Sequence, residues 1–294
     1  MEWSDYHLIL AVTRERSVRG AARKLGVSHA TVSRRLAQLN RGPDGPLVQK
    51  SPSGLWPSKA GKAIVDAAEQ MEAVAAEATR KRRAAETRLS GPLSISIPVL
   101  VLHDLLFDDV LAFTDLYPNI DLTIDSSDML VDLDRAEADI VIRNAMSPPD
   151  HWVGRRLAPY CLSHYAHKAY LASTPHEELR WIAPSRDEAR WQDWKAGSPY
   201  PNARTALTIT DIRGRFEAIK RGLGMGRAAC FMADPDPDLV RLPGAPIVEA
   251  EPFWLLSHPD LAKTNRVQAA VKFFASALQA KQDLYQGLQV TEIA

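Results

Sequence analysis

The chain has 294 residues, of which 46% are hydrophobic and 24% charged, a composition typical of globular proteins and not of disordered chains or fibres. At about 150 residues per domain, this length favours two domains. No apolar run approaches the roughly 20 residues that a membrane span needs, and the first residues do not resemble a secretory signal, so we expect a cytoplasmic protein. Two cysteines, Cys161 and Cys230, are too few to cross-link a chain of this size and fit a reducing compartment.

The formal net charge of zero hides an uneven distribution along the chain. Residues 1–90 contain 16 Lys and Arg against 9 Asp and Glu, whereas the remainder contains 20 against 27. The N-terminal third therefore carries +7 and the rest −7. A basic segment joined to an acidic one indicates that the basic part meets a polyanion, so it is the first place to look for a nucleic-acid motif.

Three short helices are predicted before residue 41. Apolar residues recur at helical spacing over residues 4–13. Ser17 is a favourable N-cap for a second helix that ends at Gly26, and Ser28 is a favourable N-cap for a third that ends near Asn40. The second and third helices, joined by about three residues that include a glycine, predict a helix-turn-helix.

The third helix has the pattern of a recognition helix. Val32, Leu36 and Leu39 form its apolar stripe, and the opposite side carries small and hydrogen-bonding residues that suit a DNA major groove. A predicted hairpin at residues 47–56 adds a wing whose flanks can reach the DNA backbone. The alternative is an ordinary three-helix cluster with a solvated basic face. The candidate DNA-binding residues are Ser17, Arg19, Ser28, His29, Ala30, Thr31, Ser33, Arg34, Arg35, Gln38, Lys50, Ser51 and Lys59.

A long helix is predicted from the N-cap Ser58 to about residue 88, because no glycine or proline follows Gly61 in this stretch. Its apolar residues at a and d spacing predict pairing with a second copy of the chain. Since the stripe is rich in alanine, packing on its own domain is the alternative. A two-fold dimer places two recognition helices about 34 Å apart or a multiple of that distance. The candidate dimerisation residues are Ile64, Ala67, Met71, Val74 and Ala78.

The run SVRGAARKLGVSHATVSRRLAQL at residues 17–39, followed by G-x-L, S-P-S-G and S-K-A-G, resembles the winged helix-turn-helix of the LysR-type transcriptional regulators. The chain departs from the family pattern in the loop and the wing, at Asn40, Pro43, Pro46, Val48, Lys50, Ser51 and Ser58. The resemblance implies a DNA-binding domain over residues 1–62 and a linker or dimerisation helix and hinge over 58–90. The partners that it implies are double-stranded DNA, a second copy in a dimer or tetramer, and RNA polymerase.

The rest of the chain alternates strands with helices. The first five predicted elements are strands at 93–98, 120–125 and 139–143, with helices at 103–117 and 129–137 between them. This order predicts a parallel α/β sheet. The later predictions are strands at 155–162, 205–210, 225–230 and 253–257 and helices at 165–173, 211–221 and 264–280. The fold class expected is α/β with an N-terminal winged helix-turn-helix that is mainly α-helical.

Motifs in this part are similar to the effector domain of the same family, which is built like periplasmic binding proteins. They are F-x-x-x-Y-P at 113–118, A-D-I-V-I-R at 138–143, G-R-R-L at 154–157 and G-L-G-M-G at 222–226. The resemblance implies one subdomain over 91–161 and 257–294, another over 162–256, and a small-molecule effector between them. The implied effector-binding residues are Pro98, Val99, Leu100, Ser126, Ser127, Arg143, Asn144, Thr210 and Met225.

The chemistry of this implied pocket favours a more apolar or neutral effector than usual. Pro98 and Val99 stand where family members that bind carboxylates often have Ser or Thr at a helix N-terminus. Arg143 either holds an anion through bidentate hydrogen bonds or forms a structural ion pair with a carboxylate such as Asp139. Both alternatives stay open at this point.

Two further patterns indicate structural roles. Gly222, Gly224 and Gly226 follow a predicted helix and precede a predicted strand, the reverse of a dinucleotide-binding loop, and this order favours a helix stop with tight packing. His164 and His167 have helical spacing but no third ligand nearby, so neither a metal nor a cofactor is expected.

The function predicted is a sequence-specific DNA-binding transcriptional regulator that responds to a small molecule. One alternative is a ligand-independent architectural DNA-binding protein. The other is an α/β enzyme fused to a DNA-binding head, for which the chain offers neither a G-x-S-x-G elbow nor an evident Ser, His and Asp arrangement, so no enzyme is expected. Cys161 and Cys230 are predicted to be buried thiols in strands, and a redox role for the pair stays open.

Overall fold

The structure is a computed structural model that describes residues 1–43, 45–85, 88–126, 131–184, 195 and 197–288. The chain divides into two compact units. The first, here the N-terminal unit, contains Met1–Arg82 and Asp134–Ala136, and the second, the C-terminal unit, contains Arg83–Leu133 and Glu137–Ala294.

The N-terminal unit begins with the three predicted helices. Its elements are α1 Trp3–Glu15, α2 Val18–Leu25, α3 His29–Leu39, β1 Val48–Ser51, β2 Gly54–Pro57 and α4 Lys59–Ala84. The predicted caps are confirmed, because Ser17 Oγ accepts from Gly20 N at 3.0 Å and Ser28 Oγ accepts from Thr31 N at 3.1 Å. Gly26 ends α2 with φ +65, a left-handed conformation that glycine adopts without strain. The predicted wing is the antiparallel pair β1 and β2.

Small residues let the elements of this unit approach closely. Ala21 on α2 is completely buried in a core that α1, α3 and the start of β1 also supply. Gly61, in the first turn of α4, has no room for a side chain, because a Cβ there would lie 1.8 Å from the carbonyl oxygen of Leu47. Ser58 N donates to the same oxygen at 2.9 Å. The run S-K-A-G therefore marks the place where the long helix packs against the wing.

The C-terminal unit contains a mixed seven-stranded sheet within the residues described. Its strands run in the order β10, β6, β11, β5, β3 and β4, and β9 also pairs with β6. The bounds are β3 Gly91–Ile97, β4 Ile120–Ser126, β5 Ile140–Asn144, β6 Val153–His167, β9 Gly226–Ala229, β10 Leu239–Arg241 and β11 Val248–Ser257. Strand β3 is parallel to β4 and β5, as predicted, whereas β11 is antiparallel to β5 and β6. A separate parallel pair consists of β7 Arg180–Ala183 and β8 Arg204–Thr208.

The helices of this unit pack on its buried apolar clusters. They are α5 Val99–Val101, α6 Phe107–Leu116, α7 Lys168–Ser173, α8 Ile212–Lys220, α9 Cys230–Ala233, α10 Asn265–Ala280 and α11 Gln282–Tyr285. A π-helical segment, Leu102–Leu106, joins α5 to α6, and a short 3₁₀ turn spans His176–Glu178. Phe113 and Phe274 are completely buried with ring centroids 5.2 Å apart, which fixes α6 against α10.

Several predicted elements need correction. The helix predicted from Tyr165 begins at Lys168, because Tyr165 and its two successors continue β6 and pair with β10. The strand predicted to reach Cys230 ends at Ala229, and Cys230 begins α9. Residues 133–136 form a turn and their neighbours from 131 to 137 are not helical, where a helix was predicted, and residues 129 and 130 lie outside the described residues. The short strands β7 and β10 were not predicted.

The three glycines that follow α8 act as predicted. Gly222 has φ +68 and ends the helix, and a Cβ at Gly226 would lie 2.5 Å from the Ile219 side chain. The helix stop with tight packing is confirmed. In the described part of the chain, no helix has both the length and the apolar character that crossing a membrane requires.

Candidate functional site

Helix α3 divides cleanly into a buried and an exposed side. Val32 is completely buried and Leu36 nearly so. The exposed residues, which form the face predicted to meet DNA, are Ser28, His29, Ala30, Thr31, Ser33, Arg34, Ala37 and Gln38. The Ser28 and Thr31 hydroxyls are hydrogen-bonded to each other at 2.8 Å, so the N-terminal end of the helix is locally ordered. This face carries donors and acceptors without an apolar side chain larger than alanine.

Arg35 differs from the other predicted DNA-binding residues. Its Nε and Nη2 donate to the two carboxylate oxygens of Asp5 at 2.6 and 2.8 Å, and its Nη1 donates to Gln38 Oε1 at 2.9 Å. The hydrogen bonds from Arg35 lower the pKa of the buried Asp5, and the hydrogen bond from Glu2 N adds to this effect, against the opposing effect of burial. Arg35 therefore ties α3 to α1, and its contact with DNA stays a prediction.

The wing and the ends of the neighbouring helices surround α3 with further polar residues. Ser17 and Arg19, at the start of α2, are exposed, as are Lys50 on β1 and Lys59 at the start of α4. Ser51 is half-buried, and its hydroxyl is hydrogen-bonded to Ser53 Oγ at 3.0 Å in the turn of the wing.

Asn40 holds the wing to the end of α3, a role that the sequence analysis missed. Its Oδ1 accepts from Leu47 N and Val48 N, each at 3.0 Å, and its Nδ2 donates to Val48 O at 2.9 Å. An amide supplies both the acceptor and the donor that this strand requires, whereas a carboxylate can only accept. The departure from the family pattern at this position was the available signal.

The stripe predicted for dimerisation on α4 has two parts. Ile64 packs against the core of its own unit, and Ala67 is half-buried. Met71 lines an apolar groove of about 200 Å³ between α1 and α4, together with Trp3. Val74 and Ala78 are exposed, Val74 to 66%. The predicted alternative, packing on its own domain, thus describes the first part of the stripe.

The sheet of the C-terminal unit brings together three groups of residues predicted to bind the effector. Because β3, β4 and β5 are parallel neighbours, their carboxyl ends lie at one edge. Pro98, Val99 and Leu100 follow β3 and are half-buried at the start of α5. Ser126 ends β4, and Asn144 ends β5. Among the described residues, Ser126 Oγ and Asn144 Nδ2 are buried without a hydrogen-bond partner.

The remaining predicted effector-binding residues vary in their positions. Arg143 Nη2 donates to Ser96 Oγ at 2.9 Å, which places the guanidinium over β3. Thr210 is exposed two residues before α8. Met225 is completely buried in the cluster around Trp181, and its place in the effector pocket stays a prediction. Ser127 lies outside the described residues.

Asp139, the suggested partner of Arg143, is buried and bonded elsewhere. Its Oδ1 accepts from Arg83 Nη1 at 2.7 Å, and its Oδ2 accepts from Ser94 N at 2.8 Å and from Ser94 Oγ at 3.1 Å. The carboxylate of Asp139, which directly precedes β5, thus binds both Arg83 and Ser94 on β3.

Two family models cover most of the chain. The bacterial regulatory helix-turn-helix protein of the lysR family matches residues 3–62, and the LysR substrate binding domain matches residues 86–279. The chain belongs to the LysR family of transcriptional regulators. As a LysR-type regulator it combines a helix-turn-helix for DNA binding with an α/β effector-binding domain.

Curated relatives and solved structures agree with this assignment. This regulator is similar to the Mau operon transcriptional activator of Paracoccus denitrificans, with 30% identity over 276 residues, which cover 89% of this chain and 91% of the relative. It is 26% identical over 294 residues to the probable HTH-type transcriptional regulator LtrA of Klebsiella pneumoniae, with 94% of each chain covered. The full-length structure of the Vibrio cholerae virulence activator AphB shares its fold, with a TM-score of 0.61 at 18% identity over 94% of this chain and 99% of that chain.

Both cysteines of this LysR-type regulator are buried and unpaired. Burial raises the pKa of the Cys161 thiol, and it raises that of Cys230 to about 11. His164 and His167 both lie on β6, and the described ranges contain no group of three or more His, Cys, Asp or Glu that could hold a metal ion.

Proposed function

We propose that this LysR-type regulator binds its operator as a homodimer or tetramer, with the exposed face of α3 in the major groove and the wing beside it. The observation that carries this proposal is the polar face from His29 to Gln38, which lies opposite the buried Val32 and Leu36. A face without large apolar residues is stable in water before DNA arrives and offers hydrogen bonds to base edges afterwards.

The contacts fall into two classes. His29, Thr31 and Arg34 lie in the N-terminal and central turns of α3, where recognition helices contact bases, so we assign them to base contacts together with Ala30 and Ser33. Gln38, in the last turn of the same exposed face, is assigned to base contacts as well. Ser17, Arg19, Ser28, Lys50, Ser51 and Lys59 lie around this helix and are assigned to the phosphate backbone. Arg35, whose side chain is 33% exposed, stays among the proposed DNA-binding residues although Asp5 also binds its guanidinium.

The exposed second part of the α4 stripe supports self-association. Val74 and Ala78 continue the a and d spacing beyond the part that packs on the N-terminal unit, and Trp3 next to Met71 is 57% exposed. Apolar side chains at this spacing are stabilised by pairing with a second copy. We therefore assign the dimer contact to α4, with its partner the same helix of another chain.

We assign effector binding to the carboxyl ends of β3, β4 and β5, between subdomains over 91–161 with 257–294 and over 162–256. Ser126 Oγ and Asn144 Nδ2 support this assignment, because buried polar groups without partners are stabilised by a ligand that satisfies them. An ion pair at 2.5 Å joins the two proposed subdomains, from Asp104 in the first to Arg213 on α8 in the second. An effector with different affinities for two subdomain arrangements shifts their populations, and through the linker it changes the spacing of the DNA-binding units.

The further expectations concern location and partners. We expect this regulator to work in the cytoplasm and to contact RNA polymerase at the promoters that it binds. We expect it to require no cofactor and to catalyse no reaction. Of these, contact with the polymerase is tested by transcription from a promoter that the protein occupies, with and without the effector.

The first experiment is a footprint on the DNA that flanks the gene of this regulator, at two salt concentrations. Two protected patches with dyad symmetry that survive the higher salt support a specific dimer. Arg34→Ala should remove about 1–3 kcal/mol of specific binding, whereas Lys50→Ala should weaken binding to all sequences and reduce the salt slope by about 1. The matched control is Arg221→Ala, which replaces an exposed arginine of the C-terminal unit. Unchanged protection in both Arg34→Ala and Lys50→Ala would contradict the proposed interface.

A further inference from the structure

An arginine stacked on a tryptophan lies where the helix-turn-helix begins. Arg16 follows α1 and directly precedes Ser17, the N-cap of α2. Its guanidinium carbon lies 3.0 Å from the ring centroid of Trp56, on strand β2 of the wing. A cation over an indole face is attracted by the electrons of the ring, and guanidinium groups favour this stacked arrangement.

Backbone contacts also hold the segment of Arg16 next to the strand that carries Trp56. Leu55 N donates to Arg16 O at 2.9 Å, so the turn before α2 runs along the free edge of β2. Gly54 lies so close that a Cβ there would be 2.6 Å from the same oxygen. The indole is fixed as well, because Trp56 Nε1 donates to Ser53 Oγ at 3.0 Å in the turn of the wing. The guanidinium is therefore held at the joint between helix-turn-helix and wing.

The arginine adopts a strained conformation without gaining an internal ion pair. Its φ is +55, in the left-handed region that disfavours side chains with a Cβ. No carboxylate within the described ranges forms an ion pair with it, and its Nη1 is buried without a hydrogen-bond partner there. A half-buried cation with neither a relaxed backbone nor an internal counter-charge is stabilised when an anion binds next to it.

We propose that Arg16 binds one phosphate of the DNA backbone, with Trp56 as the positioning residue that holds its guanidinium for this contact. The inference rests on the proposed function, in which α3 and the wing face the duplex. Stacking covers one face of the guanidinium, and its Nε and Nη2 groups, which are not among the buried unpartnered atoms, can donate to a phosphate oxygen. Because the side chain is ordered before binding, little of its rotamer freedom remains to be lost on contact.

The test measures the affinity of the full-length protein for duplex DNA by fluorescence anisotropy. The probe is a labelled duplex from the DNA flanking the gene, titrated at salt concentrations between about 0.05 and 0.3 M. Arg16→Gly removes the cation, and glycine adopts φ +55 without strain, so the thermal midpoint should stay at or above that of the wild type. One lost phosphate contact should reduce the salt slope by about 0.9 and weaken binding about fivefold at about 0.15 M salt. Arg16→Asn, which also tolerates the left-handed region, should reproduce both changes.

Variants of Trp56 separate positioning from direct contact. Trp56→Ala should weaken binding while the salt slope stays close to that of the wild type, because the cation remains but is no longer oriented. Trp56→Phe, which keeps an aromatic face, should restore most of the affinity. In the Arg16→Gly background, Trp56→Ala should have no further effect on binding. An equal loss in both backgrounds would show that Trp56 contacts DNA itself and would overturn the positioning role.

Lys50→Ala in the same titration distinguishes a failure of the Arg16 contact from a failure of the proposed DNA interface. If Lys50→Ala reduces the salt slope while Arg16→Gly and Arg16→Asn leave slope and affinity unchanged, the wing meets DNA and the inference about Arg16 is wrong. If none of these variants changes the slope, the proposed DNA interface itself is wrong. A reduced slope in both Arg16→Gly and Lys50→Ala, with an unchanged thermal midpoint, supports the phosphate contact.

Discussion

Gly61→Ala tests the packing of the long helix against the wing. The added methyl would lie 1.8 Å from the carbonyl oxygen of Leu47, whereas real Cβ atoms essentially never approach another atom closer than 3.0 Å. The first turn of α4 must therefore move away by at least about 1.2 Å. This movement also breaks the hydrogen bond from Ser58 N to Leu47 O, which is 2.9 Å long.

The magnitude follows from three contributions. Steric overpacking costs about 1–3 kcal/mol, and the lost hydrogen bond about 0.5–1.5 kcal/mol. Replacing a glycine restores about 0.4–1 kcal/mol, because alanine restricts the unfolded chain. The net loss in free energy of unfolding is therefore about 2 kcal/mol for the N-terminal unit.

Gly42→Ala is the matched control. Its Cβ would meet Leu39 O at 3.3 Å, and the unfolded-state gain is the same, so its stability should stay within about 0.5 kcal/mol of the wild type. Hydrogen exchange of the full-length protein, followed for peptides from residues 1–60, measures the local opening free energy in both variants. Equal protection in Gly61→Ala and Gly42→Ala would refute the close approach of α4 to Leu47.

Three further predictions concern individual side chains. Asn40→Asp should lower the stability of the wing by about 1–3 kcal/mol, because the carbonyl of Val48 loses its donor and faces a carboxylate. Hydrogen exchange of wing peptides should be faster in Asn40→Asp, whereas Asn40→Gln should retain partial protection. The lowered pKa of Asp5 means that its ion pair with Arg35 stabilises the fold fully above pH about 4, and that this stabilisation is lost as the pH falls through the folded-state pKa. Arg35→Ala should therefore destabilise the protein less at pH 3 than at pH 7, which chemical denaturation at both pH values measures. Cys230, with a pKa of about 11, should be alkylated at pH 8 about a hundredfold more slowly than a free thiol with a pKa near 9, and native-state labelling at the rate of a free thiol would contradict its burial.

Local patterns along the chain predict the structure of the N-terminal unit. Ser17, Gly26 and Ser28 define the ends of the two helices of the helix-turn-helix, because capping and left-handed turns depend on residues next to one another in the chain. The exposed side of α3 followed from helical periodicity in the same way. In the C-terminal unit, the order of β3, β4 and β5 was predictable because consecutive βαβ units give parallel strands.

Which polar side chains are available for a ligand depends on contacts between distant parts of the chain. Arg34 and Arg35 are neighbours in one basic run, yet Asp5, thirty positions away, binds Arg35 and leaves Arg34 exposed. Met225 lies in a motif shared with the family, but packing around Trp181 buries it. Arg16 and Trp56 are forty residues apart, and their stacking depends on a strand edge that no local pattern reveals. Such contacts join distant segments, so their partners are set by the three-dimensional packing and not by spacing along the chain.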